Sequence, residues 1–122
     1  MARTVSSLIG GQPRTDAPGG RFDSTDPADT DEVVAEVALG DAATFVDACR
    51  TAREAQAEWA ATPAPVRGRA IQQIGRLIEA NKEALSQLVT REVGKPIVES
   101  RGEVQEAIEA CRRVLGRVDA DG

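Results

Sequence analysis

The sequence predicts an α+β fold that is mainly α: a short N-terminal β-meander followed by three amphipathic helices, the second long and bent. Two observations predict it. The stretch 32–38 is β-branched and alternates along its length, as strands do. After Gly40, apolar residues recur at steps of three and four almost to the end. We therefore divide the chain into a tail and meander (1–40), a helical segment (41–118) and a polar tail (119–122).

Composition predicts a thin core. The chain has 122 residues, of which 41% are apolar, and its aromatic side chains are limited to two Phe and one Trp. A core built from Ile, Leu, Val and Ala at this size gives thin helix contacts, so we expect it to need a further covering layer. The net charge of −5, with basic residues scattered among acidic ones, argues against nucleic-acid binding.

The meander is predicted from a series of short stretches before Gly40. Residues 1–7 are predicted to be a loose tail, and Leu8-Ile9 precede a Gly-Gly turn. Residues 13–20 are rich in Pro and Gly and indicate a loop. Two further strands at 21–25 and 32–38 flank an Asp-rich turn at 26–31. These stretches predict an antiparallel meander that ends at Gly40.

Helix one begins at Asp41, a good N-cap residue, and ends before Pro63. Its apolar stripe ends at Trp59, for which we favour a contact within the core over a partner-binding role. Both cysteines fall in helical stripes, which favours buried, structural thiols over reactive ones. The stripe comprises Phe45, Cys49, Ala52, Ala55 or Gln56, and Trp59.

Helix two carries the clearest signals of a start and an end. Thr62 is the predicted N-cap, with Pro63 at the first helical position. A bend or restart is expected near Asn81, because Asn caps helices well and fits their interior poorly. Gly94 is predicted at the C′ position, and Pro96 prevents continuation. The stripe comprises Val66, Ala70, Ile71, Ile74, Leu77, Ile78, Leu85, Leu88 and Val89.

Helix three is predicted from about residue 97 to residue 116. Because one position of its stripe, Arg101, is polar, the stripe is strongest from Val104 onward. The stripe comprises Val98, Arg101, Val104, Ile108, Cys111, Leu115 and Val118.

Catalytic signatures are scarce. The chain contains no His, which excludes Ser-His-Asp and Cys-His sets, and it has no CxxC metal motif. The acidic group Asp26, Asp29, Asp31 and Glu32 fits a solvated turn better than a Ca²⁺ loop. Glu92 and Lys95, around Gly94, fit an ordinary helix C-terminus better than a functional pair. No signal peptide or membrane span is evident, so a cytoplasmic location is expected.

Several segments, in order, resemble the N-terminal part of the aldehyde dehydrogenase superfamily. They are SLIGGQ, RFDSTDPADTDEVVAEVALGDA, AREAQAEWA, RGRAIQQIGRLIEANKEALSQLVTREVGKPIVESRGEV and EVQEAIEACRRVLG. The resemblance covers residues 8–116. It departs at Pro13, where the family has an aromatic residue, in the 26–32 turn, which lacks the family's glycine, and at 112–114, where family aromatics are replaced.

The resemblance implies an α/β cofactor-binding domain of which this chain forms part. The family's catalytic cysteine, glutamate base, oxyanion asparagine and nucleotide-binding strands come later in the chain and have no matching position here. It also implies a monovalent cation near Ser24, Thr25 and Glu92. NAD or NADP would serve the parent enzyme, with no cofactor expected for this chain alone. The remainder of the dehydrogenase, or other subunits of a usually homo-oligomeric enzyme, would be its partner.

Two functional hypotheses follow. In the first, the chain is a truncated NAD(P)-dependent aldehyde dehydrogenase, from a truncation, a frameshift or a split gene, and is a scaffold without activity of its own. In the second, it is a non-enzymatic helical module that binds a partner protein. The substrate is not readable from these residues.

Overall fold

The computed structural model describes the backbone of residues 3–120 and the side chains of residues 3–114. It confirms a mainly helical chain with a small sheet. The described part holds β1 (Arg3–Ile9), β2 (Gln12–Arg14), β3 (Arg21–Asp26), β4 (Asp29–Ala38), α1 (Ala42–Ala61), α2 (Ala64–Ala80), α3 (Lys82–Val93) and α4 (Ile97–Ala120). Contacts divide the chain into two compact units, Met1–Glu58 and Trp59–Gly122.

The sheet of the first unit is mixed, so the prediction of a simple antiparallel meander was wrong. Its strand order is β2-β1-β4-β3. β1 pairs antiparallel with β2 but parallel with β4, from Arg3 opposite Ala35 to Ser6 opposite Ala38. Residues 3–7 of the predicted loose tail therefore belong to strand β1, because β1 pairs with β4 as well as with β2. Pro13, predicted in a loop, lies in the edge strand β2, where a missing N–H is tolerated.

A β-bulge shapes the core of the first unit. Ser24 pairs with Ala35 and Thr25 with Val33, so Val34 has no opposite residue. The bulge interrupts the regular alternation along β4. Val34 is buried together with Ile9 and Ala38, while its neighbours in β4 are only half-buried.

The first helix begins as predicted but is not buried as predicted. The Thr44 amide donates to Asp41 Oδ1 at 2.8 Å, which confirms the N-cap. No residue of α1 is buried among those described. Phe45 is 70% exposed, Trp59 is 48% exposed and Cys49 is exposed, so the predictions of a buried stripe, a core Trp and a buried Cys49 were wrong. The stripe is apolar, but no layer in the described residues covers it.

The long helix predicted from Thr62 to Glu92 is two helices, α2 and α3. Asn81 is the break, as expected: its side-chain amide donates to the Leu77 carbonyl at 2.8 Å, and α3 restarts at Lys82. Pro63 stands in the N-cap position predicted for Thr62, and its carbonyl accepts from the amides of Val66 and Arg67. Gly94 ends α3 in the left-handed conformation, with φ 78°, as predicted.

The second unit packs through fewer large residues than predicted. Val104 and Ile108 of α4 are buried as expected, and Cys111 is half-buried. However, Val66, Ile74, Leu77 and Val98 are exposed. The positions that are buried instead are small: Gly68, Gly75, Ser86 and Ser100. Helices that meet at glycine and serine approach closely, which turns some larger neighbours outward.

The last helix runs to Ala120, beyond its predicted end. The side chains of the predicted stripe positions Leu115 and Val118 lie outside the described residues. Asp121 and Gly122 of the predicted tail lie outside the described backbone as well. Within residues 3–120, no helix combines the length and apolarity that crossing a bilayer requires.

Candidate functional site

Two of the three residues implied in cation binding lie side by side on β3. Ser24 is buried and Thr25 half-buried, at the bulge opposite β4. A bulge locally interrupts the ladder of backbone hydrogen bonds. The third residue, Glu92, lies exposed in the last turn of α3, in the second unit. Ser24 and Thr25 are therefore adjacent only because they are consecutive in the chain, and Glu92 belongs to the other compact unit.

The turn after Glu92 has the properties of a structural helix end. The Gly94 amide donates to the Thr90 carbonyl at 2.8 Å. The Lys95 ammonium forms an ion pair with Glu103 of α4, and Pro96 precedes the first residue of that helix. These contacts agree with the prediction of an ordinary C-terminus, and they fix the corner between α3 and α4.

The acidic turn at 26–32 is built from local contacts. Asp26 Oδ1 accepts from the Ala28 amide at 2.8 Å, and Asp29 Oδ1 accepts from the Asp31 amide at 3.3 Å. Such side-chain bonds to the backbone two residues on are typical of Asx turns. Among the described residues, no three His, Cys, Asp or Glu side chains are placed to hold a metal ion.

The groups at the start of α1 also serve the fold. A groove of about 330 Å³ runs between β1 and α1 and is lined by Ser7, Leu8, Ile9, Gly40, Asp41, Thr44, Phe45 and Ala48. The Thr44 amide and hydroxyl both donate to Asp41, which lowers the pKa of that carboxyl. Arg14 pairs with Asp47 at 2.7 Å, joining β2 to α1. These charged groups near the start of α1 are thus already engaged in a cap and a bridge.

Cys111 lies beside a small cavity between α2 and α4. The cavity, of about 120 Å³, is lined by Gln72, Gly75, Arg76, Glu79, Cys111 and Arg112. Arg112 contacts Glu79 at 2.9 Å and Glu109 at 2.7 Å, so its charge is already paired. Of the two arginines that line the cavity with Cys111, Arg112 is thus engaged with carboxylates.

Ion pairs that join the helices were not predicted from the sequence. Arg101 donates twice to Glu83, at 3.0 and 2.7 Å, which ties α4 to α3, and Arg112 to Glu79 ties α4 to α2. These pairs raise the pKa of both arginines and lower that of Glu83. Their partners are 18 and 33 residues apart, so no local sequence signal could have found them.

Hydroxyls also join α3 to α4. Ser100 is fully buried, and its hydroxyl lies 2.8 Å from that of Thr90. Ser86, equally buried, donates to the Lys82 carbonyl at 2.7 Å. In the sequence, the only signal for these contacts was the presence of small residues on the helix faces. The contacts between α3 and α4 thus combine an ion pair with close packing at small hydroxyl residues.

Comparison with known proteins agrees with the order of these elements. The model of the aldehyde dehydrogenase family matches residues 14–121. The chain belongs to the aldehyde dehydrogenase family. Among curated relatives, it is 35% identical to aldehyde dehydrogenase family 7 member A1 of Pisum sativum, over 94% of this chain and 22% of that protein. It is 34% identical to malonate-semialdehyde dehydrogenase 2 of Geobacillus kaustophilus, over 93% of this chain and 23% of that protein.

Solved aldehyde dehydrogenases share the fold. The NAD-dependent aldehyde dehydrogenase from Sinorhizobium meliloti superposes with a TM-score of 0.88 at 27% identity, over 96% of this chain and 24% of that one. This chain thus spans less than a quarter of the length of the relatives it matches. It corresponds to an N-terminal segment of the family, as the sequence resemblance implied.

Proposed function

We propose that this chain is the N-terminal scaffold of an NAD(P)-dependent aldehyde dehydrogenase and has no dehydrogenase activity by itself. The observation that carries the proposal is the family match over residues 14–121, combined with coverage of only 22% of the pea relative. The parent reaction oxidises an aldehyde to a carboxylic acid through a cysteine-bound thiohemiacetal, with hydride passed to the nicotinamide.

The chemistry of the chain supports a scaffold role. The sequence contains no His, so the commonest general base in enzymes is absent from it. Several of its charged side chains are engaged in a cap and in ion pairs between elements. The family match also favours a dehydrogenase scaffold over an independent binding module, because it extends across both compact units.

The proposal includes a partner, a cofactor and a location. The partner is the remainder of an aldehyde dehydrogenase, whose catalytic and nucleotide-binding residues this chain would support. NAD or NADP would bind to that remainder, and the cytoplasm is the expected location. The cation site at Ser24, Thr25 and Glu92 stays a prediction that depends on the same remainder.

The test is an assay of the purified 122-residue chain with NAD or NADP and a series of aldehydes. We expect no formation of NADH or NADPH above the rate without protein. The full-length Geobacillus kaustophilus relative, assayed with its own semialdehyde, is the positive control. Turnover that scales with the concentration of this chain and survives repeated purification would overturn the proposal.

A further inference from the structure

We draw no further inference here: the strongest candidate, the groove between β1 and α1 that the exposed side chains of Leu8 and Phe45 line, carries none because nothing in the structure shows what covers it.

Discussion

Gly75 shows how a single residue sets a helix contact. In a helix interior, glycine is less favourable than alanine by about 1 kcal/mol, so its presence in α2 needs a cause. The cause is the approach of α4, whose Cys111 leaves no space for a methyl group. Gly102 of α4 is a natural comparison, because a Cβ there would meet nothing within 4 Å.

We therefore expect opposite effects from two alanine substitutions. Gly75→Ala should destabilise the chain by up to about 2 kcal/mol, since overpacking outweighs the gain in helix propensity. Gly102→Ala should stabilise it by roughly 0.5–1 kcal/mol. Urea unfolding followed by circular dichroism measures both. Equal stabilisation by the two substitutions would show that α2 and α4 are not in close contact.

Asp41 shows the effect of a cap on a carboxyl group. The Thr44 amide and hydroxyl both donate to its side chain, so the pKa of Asp41 lies below the ordinary value of 3.8. Because the folded-state pKa is lowered, the stabilisation is present above the unfolded-state pKa. It is lost as the pH falls through the folded-state pKa.

The Asp41→Asn variant should keep the cap and lose its pH dependence, because Asn is as good an N-cap as Asp but does not ionise. In the parent chain, the Thr44 amide signal in NMR spectra should titrate with a midpoint below pH 3.8. In the variant, that titration should be absent. A Thr44 signal that titrates identically in both proteins would mean that another acid controls it.

At the scale of elements, the corner between α3 and α4 depends on a left-handed residue. Gly94 has φ 78°, a conformation that costs residues with a Cβ about 1–2 kcal/mol. The neighbouring Lys95–Glu103 pair and the hydrogen bond between Thr90 and Ser100 fix the direction in which α4 leaves. The corner therefore has one preferred geometry.

Replacing Gly94 by Ala should destabilise the chain by about 1–2 kcal/mol. Replacing it by Asn should cost less, because Asn tolerates the left-handed region. Thermal melts of the two variants and the parent give the comparison. If Asn proves as harmful as Ala, loss of space rather than backbone conformation would be the reason.

The sequence predicted the elements that local chemistry determines. Asp41, Asn81 and Gly94 act through hydrogen bonds to residues at most four positions away, so their roles could be predicted from the sequence. The parallel pairing of β1 with β4 joins residues 32 positions apart (Arg3 and Ala35), and no local pattern encodes it. The exposure of the apolar stripe of α1 could not be predicted from the sequence either. Periodicity shows that one face of a helix is apolar, but not whether another element packs against it.

At the scale of the whole molecule, the described core is small. The buried apolar residues are Ile9, Val34 and Ala38 in the first unit and Val104 and Ile108 in the second. Many large apolar side chains remain exposed. In the first unit the most exposed of them are Leu8 and Phe45. Since burial of apolar surface is the main favourable term in folding, stability should be low.

We expect the isolated chain to unfold at a lower urea concentration than the full-length Geobacillus kaustophilus relative. It should also increase the fluorescence of the dye ANS, which the intact enzyme should not do under native conditions. Sharp, cooperative unfolding at a high urea concentration, without dye binding, would instead indicate a self-sufficient domain.

The strand order of the first unit has a consequence for biosynthesis. β1 leaves the ribosome before its parallel partner β4, which ends only at Ala38. Until then β1 can pair with β2 alone, and an isolated two-stranded hairpin is marginal in water. The nascent chain must therefore carry an open strand edge while the next thirty or so residues are made, a period in which chaperone binding competes with sheet completion.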